Sequence, residues 1–301
     1  MSTVSQPCIT LAEALDTYLT QKGSGRPKTF KAVAQRACNY LTEACGTKNL
    51  AEYSRADALK YRQYSIARGL VGSSVGRVLS AIRAIFNFAI SEYALALKNP
   101  FVGRYYDKSV GVTKRLPIPV DKIRSLQVEC KAIDDDLRWL VAWVSDTGMR
   151  LAEAVGLLKS DICLCTNTPH IRLKPHPWRP LKTSGSERDI PLVGASLWAA
   201  QRLSEAKSES HFAFPRYNKL ETTNSNSAIA ALNKWLQQYV PAGCTMHSFR
   251  HSMRDRLRSV ECPSEIIDQI CGWTVSSVGN SYGEGYNLNT CYHWHHKSVE
   301  G

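Results

Sequence analysis

Apolar residues recur every three or four positions from residue 9 to about residue 101, and Gly or Pro interrupts the pattern at its breaks. This spacing places the apolar side chains on one face of successive α-helices, and we expect four or five of them. Ser54 and Asp57 stand three residues apart, as in a capping box that begins a helix, and Gly69 marks where that helix closes. The pattern therefore predicts a helical domain in the first third of the chain.

The clearest helix of this region follows Ser74, where a single apolar stripe continues without a break. Arg77 and Arg83 lie off the stripe, so they are either DNA-binding candidates, available to phosphate groups, or simply solvated. The stripe consists of Val75, Val78, Leu79, Ile82, Ile85, Phe86, Ala89, Ile90, Tyr93 and Leu97.

Residues 103–119 form a basic segment with Gly and Pro but without periodicity, which is typical of an exposed linker between domains. Asn99 and Pro100 stop the helix before it, because the residue before a proline is disfavoured in the helical conformation. We place the boundary near residue 115. This predicts a helical domain with its linker over residues 1–115 and a second domain over residues 116–301.

The second domain mixes helical periodicity with a Pro-rich, strand-like stretch at residues 169–193. Within that stretch, residues 179–181 and 188–192 flank a run of mostly small and charged residues, 182–187, which suits a β-hairpin. The chain as a whole is predicted to be mainly α with a small β-sheet, its second domain being α+β. Further helices are predicted at residues 121–133 and 136–147, from 151, and at 195–207, 224–240, 247–259 and 263–271.

The charge of the chain points to a polyanionic partner. The net charge is +12 and the isoelectric point is about 9.3. Residues 1–118 hold 17 Lys and Arg against 7 Asp and Glu, a net +10, whereas residues 119–301 hold only +2. Clustered cations gain affinity by displacing counterions from phosphates, so double-stranded DNA is the expected partner.

A membrane partner is not expected, because no stretch approaches about 18 consecutive apolar residues and no lipidation motif is present. The N-terminus also lacks the charged-then-apolar order of a signal peptide. We therefore expect a cytoplasmic protein.

The ten cysteines are scattered irregularly and are interpreted as reduced thiols. Cys163 and Cys165 are separated by one residue, whereas a zinc knuckle needs two, and no matching ligand pair follows them. The tail at residues 291–296 holds metal-ligand residue types without a second group at suitable spacing. No metal site is predicted, and the tail is expected to pack on its own domain.

Three short segments carry candidate chemistry, although each is weak by itself. In the first, Gly148 breaks one helix so that Arg150 stands at the start of the next, where a guanidinium can fork onto a phosphate. Glu153 lies three residues later, and it can hold Arg150 or the adjacent backbone. A surface Arg–Glu pair at this spacing is, however, far more common than a catalytic one.

The second and third segments lie near the end of the chain. His247 and Arg250 stand three residues apart and share a helix face, so both can reach one phosphate oxygen, although such a pair is also ordinary helix decoration. Trp273 precedes Tyr282 by nine residues. A tyrosine after an indole usually indicates core packing.

In this order and spacing, however, the segments together resemble the tyrosine recombinase, or phage integrase, family, whose signature is Arg, Lys, His-x-x-Arg, His or Trp, and Tyr. The resemblance extends over nearly the whole chain, since the basic helical part is similar to the core-binding domain of that family. The residues that match the catalytic signature are Arg150, Lys182 in its Lys-Thr-x-x-Ser-x-Arg context, His247, Arg250, Trp273 and Tyr282.

The resemblance implies a reaction that needs no cofactor. Tyr282 attacks a DNA phosphodiester and forms a 3′-phosphotyrosyl link, and Lys182 protonates the leaving 5′-oxygen. The four remaining signature residues stabilise the phosphate oxygens, and His247 is either a phosphate ligand or the base for tyrosine. Many family members have Leu-Gly-His where this chain has Cys271-Gly272-Trp273; an indole N–H donates a hydrogen bond but cannot shuttle a proton. A homotetramer on DNA, accessory DNA-bending proteins and a nucleoid-associated protein encoded by a prokaryote or a phage are also implied. In such a tetramer the tail would dock on a neighbouring subunit, which is the alternative to packing on its own domain.

Other interpretations of the same residues remain open. Tyr286 and Tyr292 are rival nucleophiles, but Tyr282 fits the family's interval from Gly-Trp and Tyr286 would need four extra residues. A type IB topoisomerase shares these catalytic groups and relaxes DNA without choosing a site. A catalytically silent DNA-binding regulator is the third interpretation, against which the complete signature argues.

Overall fold

The computed structural model describes residues 8–113, 115–183, 186–219, 222–273 and 285–300. The chain divides into two compact units, Met1–Lys114 and Arg115–Gly301, each with its own hydrophobic core. Within the described residues, helices predominate and the strands are short, so the predicted fold class, mainly α with a small β-sheet, is confirmed.

The first unit is helical, as predicted. Its first helix begins at a capping box in which Thr10 accepts a hydrogen bond from the Glu13 amide, and the Glu13 carboxylate accepts one from the Thr10 amide. The predicted box between Ser54 and Asp57 is present in the same form at the start of the third helix. The helices are α1 (Leu11–Lys22), α2 (Lys28–Cys45), α3 (Arg55–Ala67) and α4 (Gly72–Glu92).

Helix α4 buries the predicted apolar stripe against the core of the first unit, and Arg77 and Arg83 are exposed. Its bounds differ from the prediction. The helix begins at Gly72 rather than after Ser74, because the carbonyl of Val110 accepts a hydrogen bond from the Gly72 amide (2.7 Å) and satisfies a donor of the first turn. It ends at Glu92, so the last members of the stripe lie beyond the helix.

The segment predicted to be an exposed linker makes packing contacts near each of its two ends. In the first unit, the Tyr106 ring lies so close to Gly76 that a Cβ at that position would overlap it. In the second unit, Ile118 is buried and its amide donates to Ser252 Oγ (2.7 Å). The segment therefore contributes to the packing of each unit, although most of its side chains are exposed.

The second unit is built around α6, whose residues 140–147 are all buried. A helix that is buried on every side lies in the interior of its domain, and α6 packs against α5, α7, α8 and α10. The helices are α5 (Val120–Ile133), α6 (Asp136–Thr147), α7 (Leu151–Val155), α8 (Gly194–Glu205), α9 (Ser225–Leu236), α10 (Ser248–Ser259), α11 (Ser264–Cys271) and α12 (Leu288–Glu300).

The predicted hairpin is wrong in one of its two arms. Strand β3 (Arg188–Pro191) pairs in antiparallel register with β2 (His170–Leu173), not with residues 179–181. Buried Ile171 lies opposite buried Ile190, so this register places apolar side chains on the core face of the sheet. Strand β1 (Ile162–Cys163) completes this sheet, and β4 (Asn218–Lys219) pairs with β5 (Thr222–Thr223).

Helix α12, which the sequence did not predict, packs on its own unit against α10 and β3. Its fully buried His295 donates from Nε2 to the carbonyl of Asp146 (2.5 Å). Arg256 also links Asp146 to α12. Its guanidinium binds the Asp146 carboxylate and donates to the carbonyl of Ser298 (3.0 Å). The tail therefore lies on the domain to which it belongs, one of the two alternatives predicted for it.

Docking of α12 should weaken in acid. Burial and the neighbouring Arg256 lower the pKa of His295 from 6.5 to about 3, so the folded protein holds this imidazole neutral. The stabilisation is full above pH 6.5 and is lost as the pH falls toward 3, which amounts to about 2 kcal/mol by pH 5. Denaturant unfolding at pH 7 and pH 5 measures the loss, and His295→Gln should reduce it. Equal losses in both proteins would contradict the prediction.

The described residues include all ten cysteines, and each of them is a free thiol. Among the residues that the structure describes, no group of three or more His, Cys, Asp or Glu side chains is arranged to hold a metal ion. The helices described here include none that is both long and apolar enough to cross a bilayer.

Candidate active site

The first candidate segment forms a helix break and a new helix start. Gly148 ends α6 with φ of 58°, a left-handed conformation that glycine adopts without strain. Arg150 then caps α7. Its amide donates to Glu153 Oε2 (3.0 Å), and its guanidinium binds Glu153 Oε1 (2.5 Å). Glu153 therefore fixes both the backbone and the side chain of Arg150, as the spacing predicted.

The second segment brings Arg250 to the same place from α10. His247 precedes the first residue of this helix, and Arg250 follows one turn later, 3% exposed. The guanidinium of Arg250 donates to the carbonyl of Gly148 (2.7 Å) and to that of Cys271 (2.8 Å). These bonds tie α10 to the end of α6 and to the end of α11.

Three carbonyl oxygens at the end of α11, those of Ile270, Cys271 and Gly272, each accept a hydrogen bond from a different arginine. We call them the α11 carbonyls. The last carbonyls of a helix have no partner within the helix and carry its negative dipole end, so guanidinium groups suit them. The donors are Arg188 to Ile270 (2.9 Å), Arg250 to Cys271 (2.8 Å) and Arg150 to Gly272 (3.3 Å).

Arg188 is a site residue that sequence reasoning did not single out. It is buried at the start of β3, where it donates to the carbonyl of Ser186 (2.7 Å) and approaches Glu153 Oε2 (3.4 Å). It also fills the space beside Gly272, where any Cβ would overlap its guanidinium. The only signal in the sequence was its place as the last residue of the Lys-Thr-x-x-Ser-x-Arg motif.

The arginines of the site surround one buried carboxylate, that of Glu153. Burial would raise the pKa of Glu153, but Arg188 and Arg150 outweigh it, and the pKa lies below 4.5. Burial lowers the pKa of Arg250 to about 10, so this guanidinium stays charged at neutral pH. One carboxylate thus faces three arginines, which leaves the site with excess positive charge for an anion.

The imidazole of His247 is neutral in the DNA-free protein at physiological pH. Burial, followed by the nearby cations Arg115 and Arg250, lowers its pKa from 6.5 to about 4. Its ring also lies 5.6 Å from that of His251, which was not among the predicted residues. A neutral imidazole has one nitrogen that donates and one that accepts a hydrogen bond.

Trp273 follows the α11 carbonyls directly. Its amide donates to the carbonyl of Asp268 (2.9 Å), and the Arg250 guanidinium lies over its ring, 5.2 Å from the centroid. The structure therefore brings together Arg150, Glu153, Arg250 and Trp273 through direct contacts. His247 lies near them because it precedes the first residue of α10.

Lys182 is exposed on the connection between β2 and β3. That connection is fixed to the second unit shortly before it reaches the lysine, since Trp178 Nε1 and Arg179 Nε both donate to the carbonyl of Gly156 (3.1 and 3.2 Å). Further along, Ser186 Oγ lies 3.4 Å from the Arg150 guanidinium. The connection therefore passes beside the site, but no described contact joins Lys182 itself to the arginines.

Tyr282 lies outside the described residues. The chain on either side of residues 274–284 is held to α11: Trp273 by Asp268, and Tyr286 by Gln269, whose amide exchanges two hydrogen bonds with the Tyr286 backbone (2.7 and 2.8 Å). The Tyr286 hydroxyl donates to Glu265 (2.8 Å), and this bond raises its pKa above 10. Tyr292 lies on α12.

Comparisons with known proteins bear on the family and the fold of the chain. The sequence model of the phage integrase family matches residues 118–286. Tyrosine recombinase XerD of Corynebacterium glutamicum is 24% identical over 275 residues, which cover 84% of this chain and 85% of XerD.

Solved structures share the fold at low sequence identity. The Tn1549 transposon integrase in complex with a circular intermediate DNA has a TM-score of 0.71 and 16% identity, and the match covers 95% of this chain and 98% of that one. A lambda integrase dimer bound to a COC′ core site has a TM-score of 0.68 and 15% identity, over 94% and 81% of the two chains. A lambda integrase tetramer bound to a Holliday junction also gives 0.68, at 14% identity over 90% and 79%.

The family match spans more than half of the chain and includes the segments that carry Arg150, Lys182, His247, Arg250 and Trp273. It is independent of the contacts that bring the arginines to the α11 carbonyls. The chain therefore belongs to the phage integrase family, the tyrosine recombinases, which are enzymes that cleave and rejoin DNA.

Proposed function

We propose that this protein is a site-specific recombinase that cleaves duplex DNA with Tyr282, forming a 3′-phosphotyrosyl link and releasing a 5′-hydroxyl. The 5′-hydroxyl of a partner strand then attacks this link, which rejoins the DNA and releases the tyrosine. The observation that carries the proposal is the convergence of Arg150 and Arg250 on the α11 carbonyls, beside Trp273 and His247. Attack at phosphorus adds negative charge to the non-bridging oxygens, and this cluster supplies fixed donors for that charge.

The arginines have donors to spare for a phosphate. A guanidinium carries five N–H groups, and the two bonds of Arg250 to Gly148 and Cys271 leave three. Arg150 is likewise held by Glu153 and Gly272, so both groups are oriented before DNA arrives. Donors fixed in this way are worth about 2.7–4 kcal/mol each in oxyanion sites.

The other signature residues have distinct roles in the proposal. Neutral His247 either accepts the tyrosine proton or hydrogen-bonds to a phosphate oxygen, and the indole N–H of Trp273 donates to the phosphate. Lys182, exposed on its connection, protonates the leaving 5′-oxygen.

Double-stranded DNA is the proposed partner, bound by a homotetramer during strand exchange, with accessory DNA-bending proteins as a further expectation. Support comes from the solved relatives named above, which are bound to DNA and, in one case, form a tetramer on a Holliday junction. The net charge of residues 1–118 supports it as well, and Arg77 and Arg83 on the exposed face of α4 are candidates for phosphate contacts.

Covalent capture on DNA tests the proposed function. Nicked duplexes that carry candidate attachment sites, or a pool of randomised half-sites, should trap the wild-type protein because the short strand beyond the cleaved bond diffuses away. We expect a protein–DNA adduct that survives denaturing electrophoresis. Relaxation of supercoiled plasmids that lack any selected site would instead favour a topoisomerase, and tight DNA binding without an adduct would favour a silent regulator.

A further inference from the structure

The indole of Trp273 rests against two arginines of α10. The Arg254 guanidinium lies 4.7 Å from the ring centroid, nearer than Arg250 at 5.2 Å. The two arginines are four residues apart, so they occupy the same face of α10 on successive turns. A cation over an indole face is attracted to the ring quadrupole, most strongly when water is excluded.

Arg254 is itself oriented by the helix that ends at the indole. Its guanidinium lies 3.9 Å from the Asp268 carboxylate, which is largely buried on α11. The carbonyl of the same Asp268 accepts the amide of Trp273 (2.9 Å). Asp268 therefore fixes the backbone of Trp273 directly, and it fixes the side chain indirectly through Arg254.

The two arginines have different surroundings. Arg250 is buried, and its guanidinium donates to two backbone carbonyls at the site. The Arg254 side chain is 39% exposed, and its described charged partner is Asp268. Arg250 therefore belongs to the groups that are proposed to donate hydrogen bonds to the phosphate. The guanidinium of Arg254, in contrast, is directed toward the indole.

We propose that Arg254 is a positioning residue that holds the indole plane of Trp273 so that its N–H faces the scissile phosphate. The inference rests on the proposed function, in which Trp273 donates to that phosphate. An indole donates only along its N–H bond, so rotation of the ring away from the arginine would remove the hydrogen bond. Arg254 acts through Trp273 and does not touch the DNA.

The competing role for an exposed arginine in a DNA-binding protein is contact with a backbone phosphate. A phosphate contact would supply binding affinity and would add about one unit to the salt dependence of binding. A positioning role would change the rate of cleavage at saturating DNA and leave affinity unchanged. The two roles therefore differ in measurable quantities.

A double-mutant cycle on the full-length protein separates them. Arg254→Met keeps the aliphatic stem and removes the cation, and Arg254→Lys keeps a point charge. Single-turnover cleavage of a nicked substrate should slow about 3- to 30-fold in Arg254→Met, less in Arg254→Lys, and the dissociation constant should change less than about twofold. In the Trp273→Ala background, Arg254→Met should cause no further loss of rate.

Arg258→Met is the matched control, because Arg258 is exposed one turn further along α10 and has no described contact with the indole. It should cleave at the wild-type rate, and thermal unfolding should show that every variant is folded. A loss of rate that is equally large without Trp273, or a loss of affinity with a reduced salt slope, would overturn the inference. If the wild-type protein forms no adduct at all, the proposed function itself fails.

Discussion

Tyr282→Phe is expected to abolish the covalent protein–DNA adduct and to lower the rate of strand cleavage on the order of 10⁴-fold or more. The phenolic oxygen is the atom that bonds to phosphorus in the proposed reaction, and phenylalanine lacks it while keeping the ring. DNA affinity should stay close to wild type, since the arginines remain. Denaturing electrophoresis measures the adduct, and a filter or gel-shift assay measures binding.

Tyr286→Phe and Tyr292→Phe are the matched controls for this change. The Tyr286 hydroxyl donates to the Glu265 carboxylate, which raises its pKa, so this phenol ionises less readily than a free one. Tyr292 lies on α12, where its ring contacts that of His296 (5.3 Å between centroids). Both variants should retain the adduct. An adduct that persists in Tyr282→Phe and disappears in Tyr286→Phe would transfer the role of nucleophile to Tyr286.

Glu153→Ala should destabilise the protein by about 3–5 kcal/mol, which is the usual cost of leaving one member of a buried ion pair without its partner. Arg188 is buried, and Glu153 is the described carboxylate within reach of its guanidinium. Cleavage should fall as well, because Arg150 loses the carboxylate that orients it. Denaturant unfolding measures the loss of stability, provided that the two units are followed by separate probes.

The pH dependence and a surface control sharpen this prediction. The folded pKa of Glu153 is lowered, so its contribution is full above about 4.5 and declines as the pH falls below that value. Glu205→Ala breaks an exposed pair with Arg202 and should cost less than about 1 kcal/mol. If Glu153→Ala costs no more than Glu205→Ala, the buried pair does not stabilise the site.

Elements with strong local signals were predicted well from the sequence. The α3 capping box and the turn at Gly148 depend on residues within one or two turns of each other, and both are present. Helix α12 was missed because its buried positions, Cys291, His295 and Ser298, have helical spacing but are not strongly apolar. Their burial depends on contacts with Asp146 and Arg256, which lie far away in the chain.

The predicted strand at residues 179–181 failed for a related reason. Its residues stand next to a run that suits a turn, but Arg179 turns inward and donates to the carbonyl of Gly156, and β3 pairs with β2 instead. Pairing was decided by which apolar side chains could face the core, and that is a property of the whole sheet.

The site shows the same division between local and distant information. Residue types and spacing identified Arg150, Glu153, His247 and Arg250, because each matches a short motif. Their assignment as catalytic remains a proposal. Arg188 had only its place at the end of the Lys-Thr-x-x-Ser-x-Arg motif as a signal. Arg254 matched no motif, because the ring that it contacts lies beyond another helix.

The turn at Gly272 also bears on efforts to retarget this protein. With φ of 64°, any side chain at this position would be strained, and its Cβ would overlap the Arg188 guanidinium. Random diversity introduced here would mostly yield inactive clones, whatever DNA they were selected on. Libraries for new target sequences should therefore leave residues 270–273 constant and vary exposed positions of α4, the helix that carries the proposed DNA contacts Arg77 and Arg83.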